Sequence, residues 1–255
     1  MNIVGIIPAR MASSRLPGKP MADIHGMPMI GHCYLRSRMS KTLSDCWVAT
    51  PDSEIFEYIE SIGGKPVMTS HNHEMCNDRV VEAVVKIEDM SDKKIDIVVN
   101  IQGDLPMVFP DMIDDTVKPL TDDRRIKCST MMDVIESIED FLDPNRVKVV
   151  VDLNQNAILL TREPVPSRHK FKEDYPKYKH VAIRAYTAEL FSRLATMEMS
   201  PIEKIEGIDD LRLIENGIKI KVIITDIVTE TVDTPEDLDK VIEMMKNDEL
   251  IKEYV

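Results

Sequence analysis

Arg10, Arg15 and Lys19 fall within ten residues of one another in a 255-residue chain whose net charge is −13. They belong to residues 3–20, IVGIIPARMASSRLPGKP, which also hold two hydroxyls, Ser13 and Ser14, and Gly18. Guanidinium forks and a point-charge ammonium gathered this closely suit a polyphosphate. The plain alternative is a solvated basic loop, and such dense cations in so acidic a chain weigh against it. Two acids stand far away in sequence. Asp104 follows the β-branched run at 95–101, and Asp233 precedes Thr234-Pro235-Glu236-Asp237. For Asp104 the alternative is a turn in which the carboxylate caps its own backbone. Arg162 carries a fork that fits a carboxylate bidentately, with a structural ion pair as its other reading.

These residues need elements to hold them. Residues 3–7 read as a buried strand of a parallel sheet, and Pro8, which cannot donate to a ladder, ends it. A helix follows to about Met39, then a strand at 46–50 and a helix from Pro51, closed by Gly63-Gly64. Strands are expected at 65–69 and 95–101, with a helix from Val80 to about Met90 between them. Alternation of this kind means an α/β fold with a parallel sheet, whose strand carboxyl ends bind ligands. Further strands are read at 127–132, 147–152, 157–161, 180–186 and 218–225, with a turn at 138–145. Those at 147–152 and 157–161 form a hairpin with apolar faces that must pack on something, so an interface is plausible there. Thr234 reads as a helix N-cap with Pro235 at the first helical position, which leaves Asp233 just outside the helix.

The opening motif I-I-P-A-R-x-A-S-S-R-L-P-G-K-P resembles the start of the sugar nucleotidyltransferases, and most closely of the 3-deoxy-manno-octulosonate (Kdo) cytidylyltransferase family. It is neither of the common Gly-rich phosphate loops. The resemblance runs through Q-G-D at 102–104, D-P-N-x-V-K-V-V at 143–150 and V-D-T-P-E-D-L at 232–238. It implies a Rossmann-like, mostly parallel nucleotidyltransferase sheet. Residues 1–125 and 180–255 would form the nucleotide-binding core, and 126–179 an inserted hairpin subdomain for dimerisation and the acceptor side. It also implies Mg²⁺ held by Asp104 and Asp233, which suits an ion that takes few protein oxygens and completes its shell with phosphates and water. Nucleotide contacts would come from Pro8, Ala9, Arg10, Ser13, Ser14, Arg15, Lys19, His73, Asn77, Arg79 and Gln102. Arg10, Lys19 and Gln102 would join the two acids in catalysis, Lys19 following charge onto the departing pyrophosphate. Acceptor contacts would come from Arg162, Arg168, His180, Arg184, Tyr186, Glu206, Asp209 and Asp210.

The expected reaction is direct attack of a 2-keto sugar acid on the α-phosphorus of CTP, with no covalent enzyme intermediate. The product would be a nucleotide sugar for lipopolysaccharide or capsule. The chain departs from the family pattern at Met75-Cys76-Asn77 for Ser-Gly-Thr, Asp78 for Glu, Leu105 for Glu, Ser167 for Trp, Arg184 for Tyr and Asp210 for Gln. Three of these changes, Ser167, Arg184 and Asp210, fall in the implied acceptor pocket, so the acceptor stays open between Kdo, 8-amino-Kdo, another nonulosonate-like acid and a phosphonate. On that reading Asp210 meets an ammonium or Arg184 an extra anion. An idle nucleotide-binding homologue is the reading from another class, and the choice of CTP over UTP is open. Composition bounds the rest. Net charge argues against nucleic acid as a partner, and no apolar run is long enough to span a bilayer. Four scattered cysteines suggest neither a zinc site nor a disulfide scaffold, and His71 with His73 lacks a third ligand. A cytoplasmic homodimer is expected.

Overall fold

The computed structural model describes residues 1–13, 15–73, 75–91, 93–167, 169–170, 173 and 175–254. Along the chain run β1 (Ile3–Pro8), β2 (Asp23–Ile24), β3 (Met27–Pro28), α1 (Met29–Ser37), β4 (Asp45–Thr50), α2 (Ser53–Ser61) and β5 (Pro66–Met68). Then come α3 (Cys76–Ser91), β6 (Ile97–Ile101), α4 (Pro110–Asp122), β7 (Cys128–Val134), α5 (Ile138–Leu142), β8 (Lys148–Val151) and β9 (Ala157–Thr161). The chain closes with β10 (Tyr178–Thr187), α6 (Ala188–Leu194), α7 (Pro201–Glu206), α8 (Asp210–Glu215), β11 (Lys221–Ile224) and α9 (Pro235–Met245). The fold is α/β, as the alternation of strands and helices requires.

Contacts divide the chain into two units, Met1–Asp114 with Thr229–Val255, and Asp115–Val228. In the first, four strands lie parallel in the order β6–β1–β4–β5. Every residue of β1 and β6 is buried, as continuous β-branched runs in a parallel sheet should be. Ile55 and Ile59 of α2 and Val80 and Ala83 of α3 are also fully buried, at the helical spacing that faces a sheet. The second unit pairs β11 with β7 in parallel and β7 with β10 antiparallel. The β8–β9 hairpin joins it through Lys148 opposite Lys179 of β10.

This division differs from the expected one. Residues 180–228 belong with the hairpin because Ile208, Leu211 and Val222 share one buried cluster with Met132, Val149 and Leu160. An apolar cluster of this kind holds a unit together more strongly than chain order suggests. Element ends differ too. The α3 helix begins at Cys76 rather than Val80, which brings Cys76, Asn77 and Arg79 into its first turn. The segment at 138 is a short helix rather than a turn, capped by Ser137 Oγ accepting from Asp140 N at 3.0 Å. The last strand is shorter than read, Lys221–Ile224.

Candidate functional site

The end of β1 sets the first wall of the site. Ala9 N still donates to Ala49 O at 3.0 Å, after which the backbone leaves the sheet. Met11 N donates to Asp52 Oδ2 at 2.7 Å, and Gly18 N returns to Met11 O at 3.1 Å. Gly18 has φ +71°, the left-handed turn that delivers Lys19 into the cleft. Asp52 precedes α2, yet it makes no side-chain cap there, because its carboxylate holds this loop instead. In the sequence Pro51-Asp52 signals only a helix start and gives no sign of this anchor.

The neighbouring strand β6 brings the second wall. A Cβ on Gly103 would lie 2.7 Å from the Pro8 carbonyl oxygen, so only glycine lets the two strand ends approach this closely. Asp104 follows, and its carbonyl accepts from Val232 N at 2.9 Å, which draws in the chain entering α9. Thr234 caps α9 in a reciprocal capping box with Asp237, and Asp233 stands just outside the helix, as its sequence implied.

Asp104 and Asp233 therefore meet. Lys19 Nζ donates to Asp104 Oδ2 at 2.7 Å, to Val232 O at 2.8 Å and to Asp233 Oδ1 at 3.2 Å. Arg15 Nη2 lies 2.9 Å from the same Asp233 oxygen. Burial alone would push the Lys19 ammonium toward its neutral form, but Asp104 and Asp233 outweigh it and hold its pKa above the usual value. Asp104 Oδ1 is buried and has no hydrogen-bond partner among the described residues. An orphaned carboxylate oxygen beside a second carboxylate fits a hard divalent cation. Among the described residues no group of three or more His, Cys, Asp or Glu could hold a metal ion.

A cleft of about 280 Å³ opens over them, lined by Pro8, Ala9, Arg10, Ser13, Arg15, Lys19, Gln102, Asp104 and Asp233 among others. A narrower recess of about 60 Å³ shares Pro8, Ala9 and Arg10 and adds His73, Met75, Cys76 and Arg79. Arg10 Nη1 donates to His73 O at 3.3 Å. His73 Nε2 is 2.5 Å from Glu82 Oε2, and Arg79, 3% exposed, donates to Thr69 Oγ1 at 2.6 Å and Ser70 O at 3.0 Å. Burial first, and Arg10 second, lower the Arg79 pKa.

Asn77 corrects the sequence reading. It is buried rather than in the cleft wall, and its Oδ1 accepts from Asn100 Nδ2 at 2.9 Å. Asn100 Oδ1 in turn accepts from Gln102 Nε2 at 3.3 Å, and Gln102 Oε1 from the Cys76 thiol at 3.4 Å. Two of the departures from the family pattern thus form a chain that orients the Gln102 amide. Asn100 was missed because a buried polar residue inside a strand carries no signal in sequence spacing. Leu105, another departure, is 2% exposed and packs inward. Ser14 and Arg168 lie outside the described residues.

The expected acceptor residues form two clusters in the second unit. In one, Arg162 Nε donates to Glu206 O at 2.8 Å and its Nη1 to Pro144 O at 3.0 Å, while Glu206 Oε1 accepts from Thr161 Oγ1 at 2.6 Å. In the other, Arg184 Nε donates to Asp210 Oδ2 at 2.7 Å and to Oδ1 at 3.0 Å. The Asp210 side chain is fully buried and that of Arg184 is 8% exposed. Two departures from the family pattern are therefore partners, which corrects the expectation that Asp210 is free for an ammonium. His180 Nε2 is 2.7 Å from Thr130 Oγ1, and burial lowers its pKa to about 4 despite Asp210 3.8 Å away. Tyr186 OH is buried without a partner among the described residues, and burial, with Asp210 next, raises its pKa well above the usual value. Asp209 is buried beside the start of α8.

A cation-rich loop after β1, with Asp104 after β6 and Asp233 before α9 meeting at Lys19, makes a cleft suited to a metal-bound polyphosphate. Comparison with known proteins gives the class, a nucleotidyltransferase. The sequence pattern of the cytidylyltransferase family matches residues 4–220. The chain is 40% identical to the 3-deoxy-manno-octulosonate cytidylyltransferase of Geobacter metallireducens over 96% of its own length and 98% of the relative's. It is 41% identical to the 8-amino-3,8-dideoxy-manno-octulosonate cytidylyltransferase of Shewanella pealeana, over 93% and 96% of the two chains. A solved structure of CMP:2-keto-3-deoxy-manno-octonic acid synthetase complexed with CTP superposes with a TM-score of 0.88 at 36% identity, covering 96% and 98%. The chain belongs to the 3-deoxy-manno-octulosonate cytidylyltransferase family.

Proposed function

We propose that this protein transfers the cytidylyl group of CTP to the anomeric hydroxyl of Kdo, releasing pyrophosphate. The observation that carries this reading is the convergence of Asp104, Asp233, Lys19 and Arg15 in one cleft at the ends of β1 and β6. A triphosphate in the cleft meets the Ser13 hydroxyl and the cations Arg10, Arg15 and Lys19, which share its neutralisation with the metal. The recess beside Pro8, Ala9, His73 and Arg79 takes the nucleoside end. Gln102, oriented by Cys76 and Asn100, faces the α-phosphate or the acceptor.

Mg²⁺ on Asp104 and Asp233, where the orphaned Oδ1 of Asp104 supports the assignment, would supply charge neutralisation at the phosphates. The protein's own part is positioning and electrostatics. Lys19 and Arg15 stabilise the negative charge that develops on the leaving pyrophosphate, and Arg10 fixes the triphosphate for in-line attack. Both acids are retained together with their cations, which favours an active enzyme over an idle homologue.

On the acceptor side, Arg162, His180, Arg184, Tyr186, Glu206, Asp209 and Asp210 are the proposed lining, with Arg168 from the family pattern. Because Asp210 is fully buried and paired with Arg184, it presents no exposed carboxylate to an amino-substituted acid. Kdo itself is the favoured acceptor. Exposed Leu153 and Ile158 on the β8–β9 hairpin support its use as a homodimer contact.

The test is pyrophosphate release with Mg²⁺, CTP or UTP, and a panel of Kdo, 8-amino-Kdo, neuraminate-type acids and aminoalkylphosphonates. Release is expected with CTP and Kdo. Turnover with UTP alone, or with another acid and not Kdo, overturns the assignment. Asp104→Asn should lower turnover by on the order of a thousandfold while its circular dichroism stays unchanged. Retained activity in that variant would remove the metal role.

A further inference from the structure

Lys19 occupies a place that a bound cation would also claim. Its three ammonium protons meet three acceptors, Asp104 Oδ2 at 2.7 Å, Val232 O at 2.8 Å and Asp233 Oδ1 at 3.2 Å. Its side chain is 13% exposed, so this is an inserted group rather than a passing surface contact. With Arg15 on Asp233, the cluster holds two acids and two bases and is formally neutral. A divalent ion arriving alone would add two positive charges next to a largely buried ammonium, an imbalance that low-dielectric surroundings punish. A nucleoside triphosphate arriving with the ion brings the missing negative charge. It also brings oxygens that can accept the Lys19 protons once the carboxylates are given up.

We propose that Lys19 is a tethered stand-in for the divalent cation. Without nucleotide its ammonium keeps Asp104 and Asp233 together and shields them from metal. The carboxylates take the ion only in company with the triphosphate, as Lys19 moves onto the phosphates. The inference rests on the reading of these two acids as metal ligands given above. One lysine thereby serves first the acids and then the leaving group. Metal and nucleotide should therefore bind with positive, reciprocal coupling.

The experiment uses Mn²⁺ as the probe and the full chain without nucleotide. Free Mn²⁺ is followed by electron paramagnetic resonance, and the CTP-containing arm by water proton relaxation, which distinguishes protein-bound from free Mn²⁺–CTP. The native protein should take up Mn²⁺ weakly alone and on the order of tenfold or more tightly with CTP. Lys19→Met should bind Mn²⁺ without nucleotide on the order of tenfold more tightly than the native chain. Lys19→Gln carries the same comparison if the methionine variant does not fold, and Lys19→Arg, which keeps a cation between the acids, should stay as weak as native. Equal nucleotide-free affinity in native and Lys19→Met protein overturns the proposal while leaving the metal reading in place. Absence of Mn²⁺ uptake by every protein, with or without CTP, overturns the metal reading and the proposal with it.

Discussion

At the scale of single residues, the informative positions are those where the chain departs from the family pattern and the departures meet. Arg184 and Asp210 form a buried ion pair, so neither can be changed alone at low cost. Removing one partner leaves an unpaired buried charge, whereas replacing both can be nearly neutral. Asp210→Asn should destabilise the protein by about 3 kcal/mol in urea denaturation. The double variant Arg184→Tyr/Asp210→Gln, which restores the family pair, should recover most of that loss. Simple addition of the two single effects would mean that the pair is not coupled. Asn77 and Cys76 carry a similar lesson. Asn77 reaches the cleft through Asn100 and Gln102 and so acts as a positioning residue, whereas Cys76 bonds Gln102 directly and lines the cleft itself.

Elements matter here mostly by where they end. The strands β1 and β6 run parallel as neighbours, and their carboxyl ends deliver Ala9 and Asp104 to the same cleft. Gly103 makes that approach possible, because a Cβ there would meet the Pro8 carbonyl at 2.7 Å. Gly103→Ala should therefore separate the strand ends, costing about 1–3 kcal/mol of stability. Its effect on kcat should exceed that on the apparent CTP affinity, since Gly103 directly precedes Asp104. Unchanged steady-state kinetics would mean that the backbone relaxes without moving the acid. The α9 N-terminus works in the same way. Its capping box fixes Thr234 and so fixes where the chain can place Asp233.

On the scale of the whole molecule, acidity and local charge are separate matters. A net charge of −13 governs the surface at large, while the cleft gathers Arg10, Arg15 and Lys19. The same distinction sets the response to pH. His180 is buried and its pKa is lowered from 6.5 to about 4, so the unfolded chain binds its proton before the folded one does. Stability from this residue is complete above the unfolded value and is lost as pH falls from about 6.5 to about 4. The loss should be on the order of 2–3 kcal/mol, read as a falling urea midpoint across that range. Glu82, held down to about 2 by Lys86, Ser70 and His73 against the opposing effect of burial, adds its own loss only below its usual range near 4.5. His180→Asn should flatten the upper part of the curve; an unchanged slope above pH 5 would rule out His180 as its source. No helix among the described residues is long and apolar enough to cross a membrane.

The sequence by itself determined the α/β class, the dense cations of the loop after β1, and Asp233 left outside its helix by the Thr234-Pro235 signal. These are local matters, written in periodicity, caps and the density of charge. Tertiary structure alone decided which distant residues meet. The Val232–Asp104 backbone bond brings the two acids to one ammonium, and Asp52 ties down the loop instead of capping α2. It also closed Arg184 on Asp210, turning two apparent changes of acceptor chemistry into one internal pair. Sequence spacing cannot report such contacts, because burial and partner choice depend on residues brought together from 26 to more than 200 positions apart. The loop that first suggested a triphosphate thus gained its counter-charges only on folding.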